Sequence, residues 1–400
     1  MKKGWQKQWL TAVTVKITDG SHNPPKGVAE SDYLMLSSKN VFDDDLHYAD
    51  PRYLTAEQYQ QENKRTGVVP DDVLLTIVGT IGRSAVVPTD APRITLQRSV
   101  AVIRPNRQFI EPRFLMYSFI ERCAELNEQA RGVAQKGIYL ESLRELELML
   151  PPLPEQQRIV GILDEAFEGI ASAKANAEKN LQNARALFES HLQSVFTQRG
   201  EGWVKKRLGD VFAIGSSKRI LETEWTSSGV PFYGGKEIVK LAKFGAVLSN
   251  SYISEEKYRD YASKYDMPRQ GDILITARGT IGVGYVVQEG DKFYYKDGNI
   301  ISMREKTPTN PHFMLYAFRS NAIADQLGDL AGTTVRHLPI EKAKELVLMM
   351  PGFTTQNTVV EQIRKTEGET QRLARIYERK LAALEALKKS LLHQAFTGAL

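Results

Sequence analysis

The chain has one cysteine, Cys123, so it forms no internal disulfide and builds no cysteine-based zinc site. Its six histidines show no paired spacing of the metal-ligating kind, and lone ones such as His47 and His312 read as surface or core residues. No uninterrupted apolar run approaches the roughly 20 residues of a membrane span. The opening Met1-Lys2-Lys3-Gly4-Trp5-Gln6 leads into no apolar stretch of signal-peptide length. These absences predict a soluble, cytoplasmic protein without membrane attachment. Neither charge sign dominates: 53 Lys and Arg against 48 Asp and Glu leave +5, which suits a polyanionic partner without demanding one. What is present is 42% apolar content over 400 residues, enough for two domains with a core each.

The chain repeats itself. Asp72-Val73-Leu74-Leu75-Thr76 returns as Asp272-Ile273-Leu274-Ile275-Thr276, and Gly79-Thr80-Ile81-Gly82 returns as Gly279-Thr280-Ile281-Gly282. Glu145-Leu146-Glu147-Leu148-Met149-Leu150-Pro151 matches Glu345-Leu346-Val347-Leu348-Met349-Met350-Pro351, and Phe196-Thr197 answers Phe396-Thr397. Every pair is offset by 200, half of the 400 residues, which marks a tandem duplication. From Val15 to about Pro70, and from Ile214 to about Gln270, the halves share little. A duplicated frame with divergent inserts predicts one scaffold carrying two different binding faces.

Asp72 to Val87 reads as strand, glycine turn, strand, and so does Asp272 to Val287. A helix follows each, around Pro112 to Gln129 and Pro311 to Leu327, opening with proline in its first turn. Beyond Pro151 the pattern changes. Ile159, Leu163, Ala166, Ile170, Ala173, Ala177, Leu181, Ala184, Phe188 and His191 alternate steps of four and three, a sustained coiled-coil seam. In the second half Ile363, Thr370, Tyr377, Leu384 and Leu391 recur every seven, flanked by Leu373, Leu381 and Leu387. Helices of ~40 residues, ~60 Å long, bury such stripes most simply against each other, antiparallel. The expected class is α+β: two mixed α/β domains related by internal duplication, joined by two long antiparallel coiled-coil helices. The expected boundaries are 1–151 and 201–351 for the domains, with 152–200 and 352–400 for the helices.

These residues carry a family likeness. Pro151-Pro152-Leu153-Pro154-Glu155-Gln156-Gln157-Arg158-Ile159-Val160 and the tail Leu391-Leu392-His393-Gln394-Ala395-Phe396-Thr397-Gly398-Ala399-Leu400 resemble the two boundary signatures of type I restriction-modification specificity subunits. Asp19-Gly20-Ser21-His22-Asn23-Pro24-Pro25-Lys26, followed by Leu36-Ser37-Ser38-Lys39-Asn40-Val41, is similar to an opening of their target-recognition domains. Gly229-Val230-Pro231-Phe232-Tyr233 and Gly271-Asp272-Ile273-Leu274 resemble matching segments of a second such domain. The likeness spans essentially the whole chain. It departs at the second boundary, where Pro351-Gly352-Phe353-Thr354-Thr355-Gln356 replaces the proline-rich, Glu-Gln-Gln form. The resemblance implies a non-catalytic subunit whose two target-recognition domains each read one part of a split double-stranded DNA site. The paired helices would set the gap. Two methyltransferase subunits and two restriction (motor-nuclease) subunits would join it. The partners would use S-adenosylmethionine for adenine methylation, and ATP and Mg2+ for restriction, with no cofactor or metal bound by this chain.

Two catalytic readings fail on the residues. Asn23-Pro24-Pro25 is followed by Lys26, so the aromatic platform of an amino-methyltransferase turn is missing. Gly79-Thr80-Ile81-Gly82 lacks a following Lys-Ser/Thr and closes a strand pair, unlike a phosphate-binding loop. A stand-alone bipartite DNA binder remains an alternative, separable by whether the purified chain alone binds with specificity. A coiled-coil scaffold for proteins would not explain two dissimilar inserts. Bases are read by donors and acceptors, and phosphates are held by Lys and Arg. The DNA-reading candidates of the first domain are therefore Ser21, His22, Lys26, Lys39, Asn40 and Arg83, with Arg131, Gln135 and Lys136 in a glycine-rich loop. Those of the second are Ser217, Lys218, Arg219, Tyr233, Lys236 and Arg278, with Thr333, Thr334, Arg336 and His337 in the equivalent loop. Unlike faces predict an asymmetric bipartite target, with half-site centres about one helical turn, roughly 34–36 Å, apart.

Overall fold

The computed structural model describes residues 4–131, 136–197, 200–328 and 337–400. It divides into two compact units, residues 1–178 with 379–400, and residues 179–378. The first unit begins with β1 (Gln6–Trp9), β2 (Thr14–Asp19), β3 (Tyr33–Leu36), β4 (Val41–Phe42), β5 (Asp45–Leu46) and β6 (Arg52–Tyr53). Then come α1 (Ala56–Thr66), β7 (Val73–Thr76), β8 (Ser84–Val86), β9 (Arg93–Leu96) and β10 (Val100–Pro105). The domain closes with α2 (Pro112–Glu121), α3 (Cys123–Gln129), α4 (Leu140–Arg144) and β11 (Glu147–Leu150), ahead of the long α5 (Leu153–Thr197).

Strand β7 is buried along its whole length because it is covered on both faces. It lies third in the four-stranded sheet β2-β10-β7-β8, antiparallel to β10 and β8. Its alternation sends Val73 and Leu75 to one core with Ala101, Ile103 and the α2 side chains Phe114 and Tyr117. Leu74 goes to a second core with Val100, Val102 and the β3 and β9 residues Leu36 and Leu96. Those strands form the sheet β6-β3-β9, in which β3 runs parallel to β9. The turn between β7 and β8 uses Gly79 and Gly82 at φ of 86° and 95°, where a Cβ would be strained.

The second unit repeats the frame with β12 (Val204–Arg207), α6 (Leu208–Val211), β13 (Phe212–Gly215), β14 (Val230–Tyr233), α7 (Gly235–Phe244), β15 (Tyr252–Ile253) and α8 (Glu255–Lys264). It continues with β16 (Ile273–Thr276), β17 (Gly284–Val286), β18 (Tyr294–Tyr295), β19 (Ile300–Glu305), α9 (Pro311–Arg319), α10 (Asn321–Gly328), α11 (Ile340–Glu345) and β20 (Val347–Met350). Last comes α12 (Phe353–Thr397). Its main sheet runs β13-β19-β16-β17, and a smaller sheet, β15-β14-β18, again contains one parallel pair.

Single helices expected after each sheet are broken in two. At Arg122 the backbone turns to φ −87°, ψ 12°, and the guanidinium donates to the Glu147 carbonyl oxygen at 2.6 Å. At Ser320 the backbone is extended, and the Asn321 N–H that follows donates to Gln193 Oε1 at 2.6 Å. Tertiary partners outcompete helical continuation at both places.

Helices α5 and α12 have 45 residues each, about 68 Å at 1.5 Å per residue. Both begin with the same staple. Gln156 accepts from the Glu111 N–H and donates to the Pro151 carbonyl oxygen, each at 2.9 Å; Gln356 does likewise with Asn310 and Pro351, each at 2.9 Å. The unusual second boundary thus preserves the glutamine side chain that both junctions use. Within the first unit Lys388 lies over the Phe167 ring at 5.0 Å and Lys174 pairs with Glu385 at 2.6 Å. Within the second, Arg185 pairs with Glu378 at 2.9 Å. Rising numbers on α5 meet falling numbers on α12, so the pairing is antiparallel. The α5 seam residues are buried or half-buried throughout, as are Ile363, Thr370, Tyr377, Leu384, Leu391 and Leu381. The flanking Leu373 and Leu387 are instead 40% and 46% exposed, because a two-helix seam covers only a narrow stripe.

Candidate nucleic-acid interface

In each domain the strand–turn–strand unit is pinned by a threonine. Thr76 Oγ1 accepts from the Arg83 N–H at 2.9 Å and donates to the Thr80 carbonyl oxygen. Thr276 Oγ1 accepts from the Val283 N–H at 3.1 Å and donates to the Thr280 carbonyl oxygen at 2.5 Å. Gly79 and Thr80, like Gly279 and Thr280, are left exposed at the tip. Beside each tip a backbone bridge ties the last residue before the turn to the segment entering α4 or α11. The bridge is Val78 to Gly137 in the first domain and Arg278 to His337 in the second. Equivalent positions of one frame therefore carry an apolar and a flexible residue in one head, and two nitrogen-bearing side chains in the other.

In the first head, Arg83 lies 4.9 Å from the Phe42 ring centroid, and burial pushes the neighbouring Asp43 carboxyl up against the pull of Lys388 and Arg83. Lys26, Lys39, Arg131 and Lys136 are exposed. Arg131 and Gly137 exchange backbone hydrogen bonds at 3.0 and 2.9 Å. Three expected readers belong to the scaffold or are already engaged. Asn40 is 3% exposed and spends its side chain on His47 and Ala49 carbonyl oxygens and the Ser37 N–H, each at 3.0 Å. Ser21 is buried, its backbone bonded to Leu96 and Arg98. His22 pairs with Asp19 at 2.7 Å. Arg98, which no sequence motif marked, is exposed between β9 and β10, and its N–H donates to the Ser21 carbonyl oxygen at 2.9 Å.

In the second head, Arg278 lies on the rim shared by two adjoining clefts. One, of about 580 Å³, is lined by Lys236, Lys240, Gly279, Thr280 and Asn299 as well. The other, of about 520 Å³, adds Arg219, Lys296, Asp297 and His337. The structure so gathers Lys236, Arg278, Arg219 and His337 from four distant stretches, and supplies Lys240, Lys296 and Asn299, which no sequence motif marked. Not all of this charge is available: Arg219 pairs with Asp297 at 2.9 Å and Lys296 with Glu222 at 3.6 Å. Tyr233 is a core residue, 8% exposed and 4.9 Å from the Phe293 ring. Ser217 donates to the Tyr295 carbonyl oxygen at 2.6 Å, and the Lys218 N–H donates to Tyr294 Oη at 2.9 Å. Gln135, Thr333, Thr334 and Arg336 lie outside the described residues. No cluster of three or more His, Cys, Asp or Glu able to hold a metal occurs among the described residues, and no helix there is long and apolar enough to cross a membrane.

Two copies of one frame, each offering a different polar face, define an internally duplicated protein with two unlike domains. The model of the type I restriction modification DNA specificity domain matches residues 32–182 and again 200–378, and the chain belongs to that family. It is 30% identical over 233 residues to the putative type I restriction enzyme specificity subunit S.HindORF215P of Haemophilus influenzae, covering 57% of each chain. It is 31% identical over 150 residues to the EcoBI specificity subunit of Escherichia coli, covering 36% of this chain and 31% of that one. The matched region thus spans about half or less of these relatives' length. The fold is similar to the HsdS subunit from Thermoanaerobacter tengcongensis, with a TM-score of 0.65 at 18% identity over 100% of this chain and 98% of that one.

Proposed function

We propose that this chain gives sequence specificity to a type I restriction-modification complex in the cytoplasm, without a catalytic site of its own. Each head reads one part of an asymmetric, interrupted DNA site, and the α5–α12 pair sets the interval between the parts. Methyltransferase subunits, two per chain, dock on it and methylate adenine with S-adenosylmethionine. Two restriction subunits, using ATP and Mg2+, complete the assembly. The observation that carries this reading is the contrast at equivalent bridges, Val78–Gly137 against Arg278–His337, within one duplicated frame. Faces that differ at matched positions read different bases.

Mapping adenine methylation in the host genome, with and without this gene, tests the proposal. The expected result is a two-part, non-palindromic motif with a fixed gap that vanishes on deletion. A continuous palindrome, or no change on deletion, would sink it. Full specific affinity of the purified chain for DNA, with no methylation dependent on it, would favour a stand-alone bipartite binder.

A further inference from the structure

We infer that Arg278 and Asn299 are the specificity-determining pair of the second head, Arg278 reading a guanine and Asn299 an adenine in the major groove. The inference rests on the DNA-reading role proposed above and assigns it to particular atoms. Arg278 follows β16 and Asn299 precedes β19, two strands held in register from Ile273–Met303 to Thr276–Ile300. The register is extended by the Ala277 N–H, which donates to the Asn299 carbonyl oxygen at 2.8 Å. Both backbones are thus fixed by a sheet, and the Arg278–His337 bridge holds the other flank. Side chains on so rigid a mount hold a constant spacing, which base readout requires. Both line both clefts.

Among the described residues, neither Arg278 nor Asn299 forms a side-chain hydrogen bond or ion pair. Two other cations of these clefts are already paired, Arg219 with Asp297 and Lys296 with Glu222. With no carboxylate partner among the described residues, the exposed guanidinium presents the fork that matches guanine O6 and N7, and the carboxamide presents the edge that matches adenine N6 and N7. Lys236 and Lys240, flexible point charges across the cleft, suit phosphates instead. At the equivalent positions the first head has Val78, and Ser99 whose Oγ accepts from the Ser38 N–H at 3.1 Å. Neither offers a bidentate donor–acceptor edge, so the chemistry is confined to one half of the target.

The test uses the full chain with its methyltransferase partner, as wild type, Arg278→Lys and Asn299→Ala. Discrimination is read by competition binding against duplexes substituted singly at each position of both halves. We expect Arg278→Lys to lose roughly ten- to hundredfold discrimination at one G·C pair, and Asn299→Ala at one A·T pair. Both losses should fall in the same half, with the other half read as in wild type. That untouched half also shows the variants to be folded. Undiminished discrimination, or equal losses in both halves, overturns the assignment. A wild-type complex with no two-part preference overturns the functional reading itself, and this inference with it.

Discussion

At the scale of single residues, the most telling repetition is a buried ion pair on the β7 and β16 frames. Asp72 is fully buried and receives Arg104 through two bonds of 2.7 and 2.8 Å; Asp272 receives Arg304 through 2.9 and 2.6 Å. Each arginine also donates to a nearby loop carbonyl oxygen, Gly67 at 2.7 Å or Met267 at 2.8 Å. A bidentate pair of this kind fixes the entry of the strand that ends at the glycine turn. Arg304→Ala would strand a buried carboxylate and should cost about 3 kcal/mol, read as a lowered urea midpoint of the second unit. An unchanged midpoint would show Asp272 to be solvated in its absence. His312 offers a pH test. Burial, with Arg364 adding, lowers its pKa, so folding favours the neutral ring. That contribution is present above the unfolded pKa of about 6.5 and is lost as pH falls below it. The wild-type midpoint should therefore drop more between pH 7.5 and 5.5 than that of His312→Gln.

At the scale of elements, α7 distinguishes the two heads. It starts where Gly234 donates its N–H to Glu237 Oε2 at 2.9 Å and stops at Gly245, φ 72°. It exposes Lys236, Lys240 and Lys243 along one side, where the first head has only the turn stapled by Asn40. Replacing the three lysines by Gln should flatten the dependence of log affinity on log salt by about 2–3 units without altering the motif read. A preserved slope would place α7 away from the phosphates. The strand–turn–strand units were legible because apolar β-formers and paired glycines leave few alternatives. The α7 helix was not, since it lies in the stretch where the two halves share little and its cap is a single local carboxylate. The breaks at Arg122 and Ser320 were hidden for a related reason: their competing partners, Glu147 and Gln193, lie in other elements.

At the scale of the whole molecule, each long helix serves a core that its own half of the sequence does not contain. Leu392 and Ala395 of α12 lie in the first core, and Phe396 meets Phe114 at 5.0 Å. Phe196 of α5 meets Phe313 of the second core at 5.1 Å. The aromatic trios Trp5–Phe114–Phe396 and Trp203–Phe313–Phe196 are copies of one another. Deleting residues 379–400 should therefore destabilise the first unit, remote in sequence, by more than about 3 kcal/mol. Hydrogen exchange would reveal it as lost protection in β2, β7 and β10 with the β13-β19-β16 sheet retained. Equal protection in both sheets would refute the exchange of helix ends.

The duplication, the two seams, the glycine turns and the membership of a DNA-specificity family were all settled by the linear order of residues, because period and offset need no third dimension. Which polar side chains remain free was decided only by the fold. Asn40 and Tyr233 match the expected chemistry in composition yet are consumed by packing, while Asn299 and Lys240 carry no motif and still face the cleft beside Arg278. Availability depends on what lies across space, and sheet register, not neighbourhood along the chain, sets that.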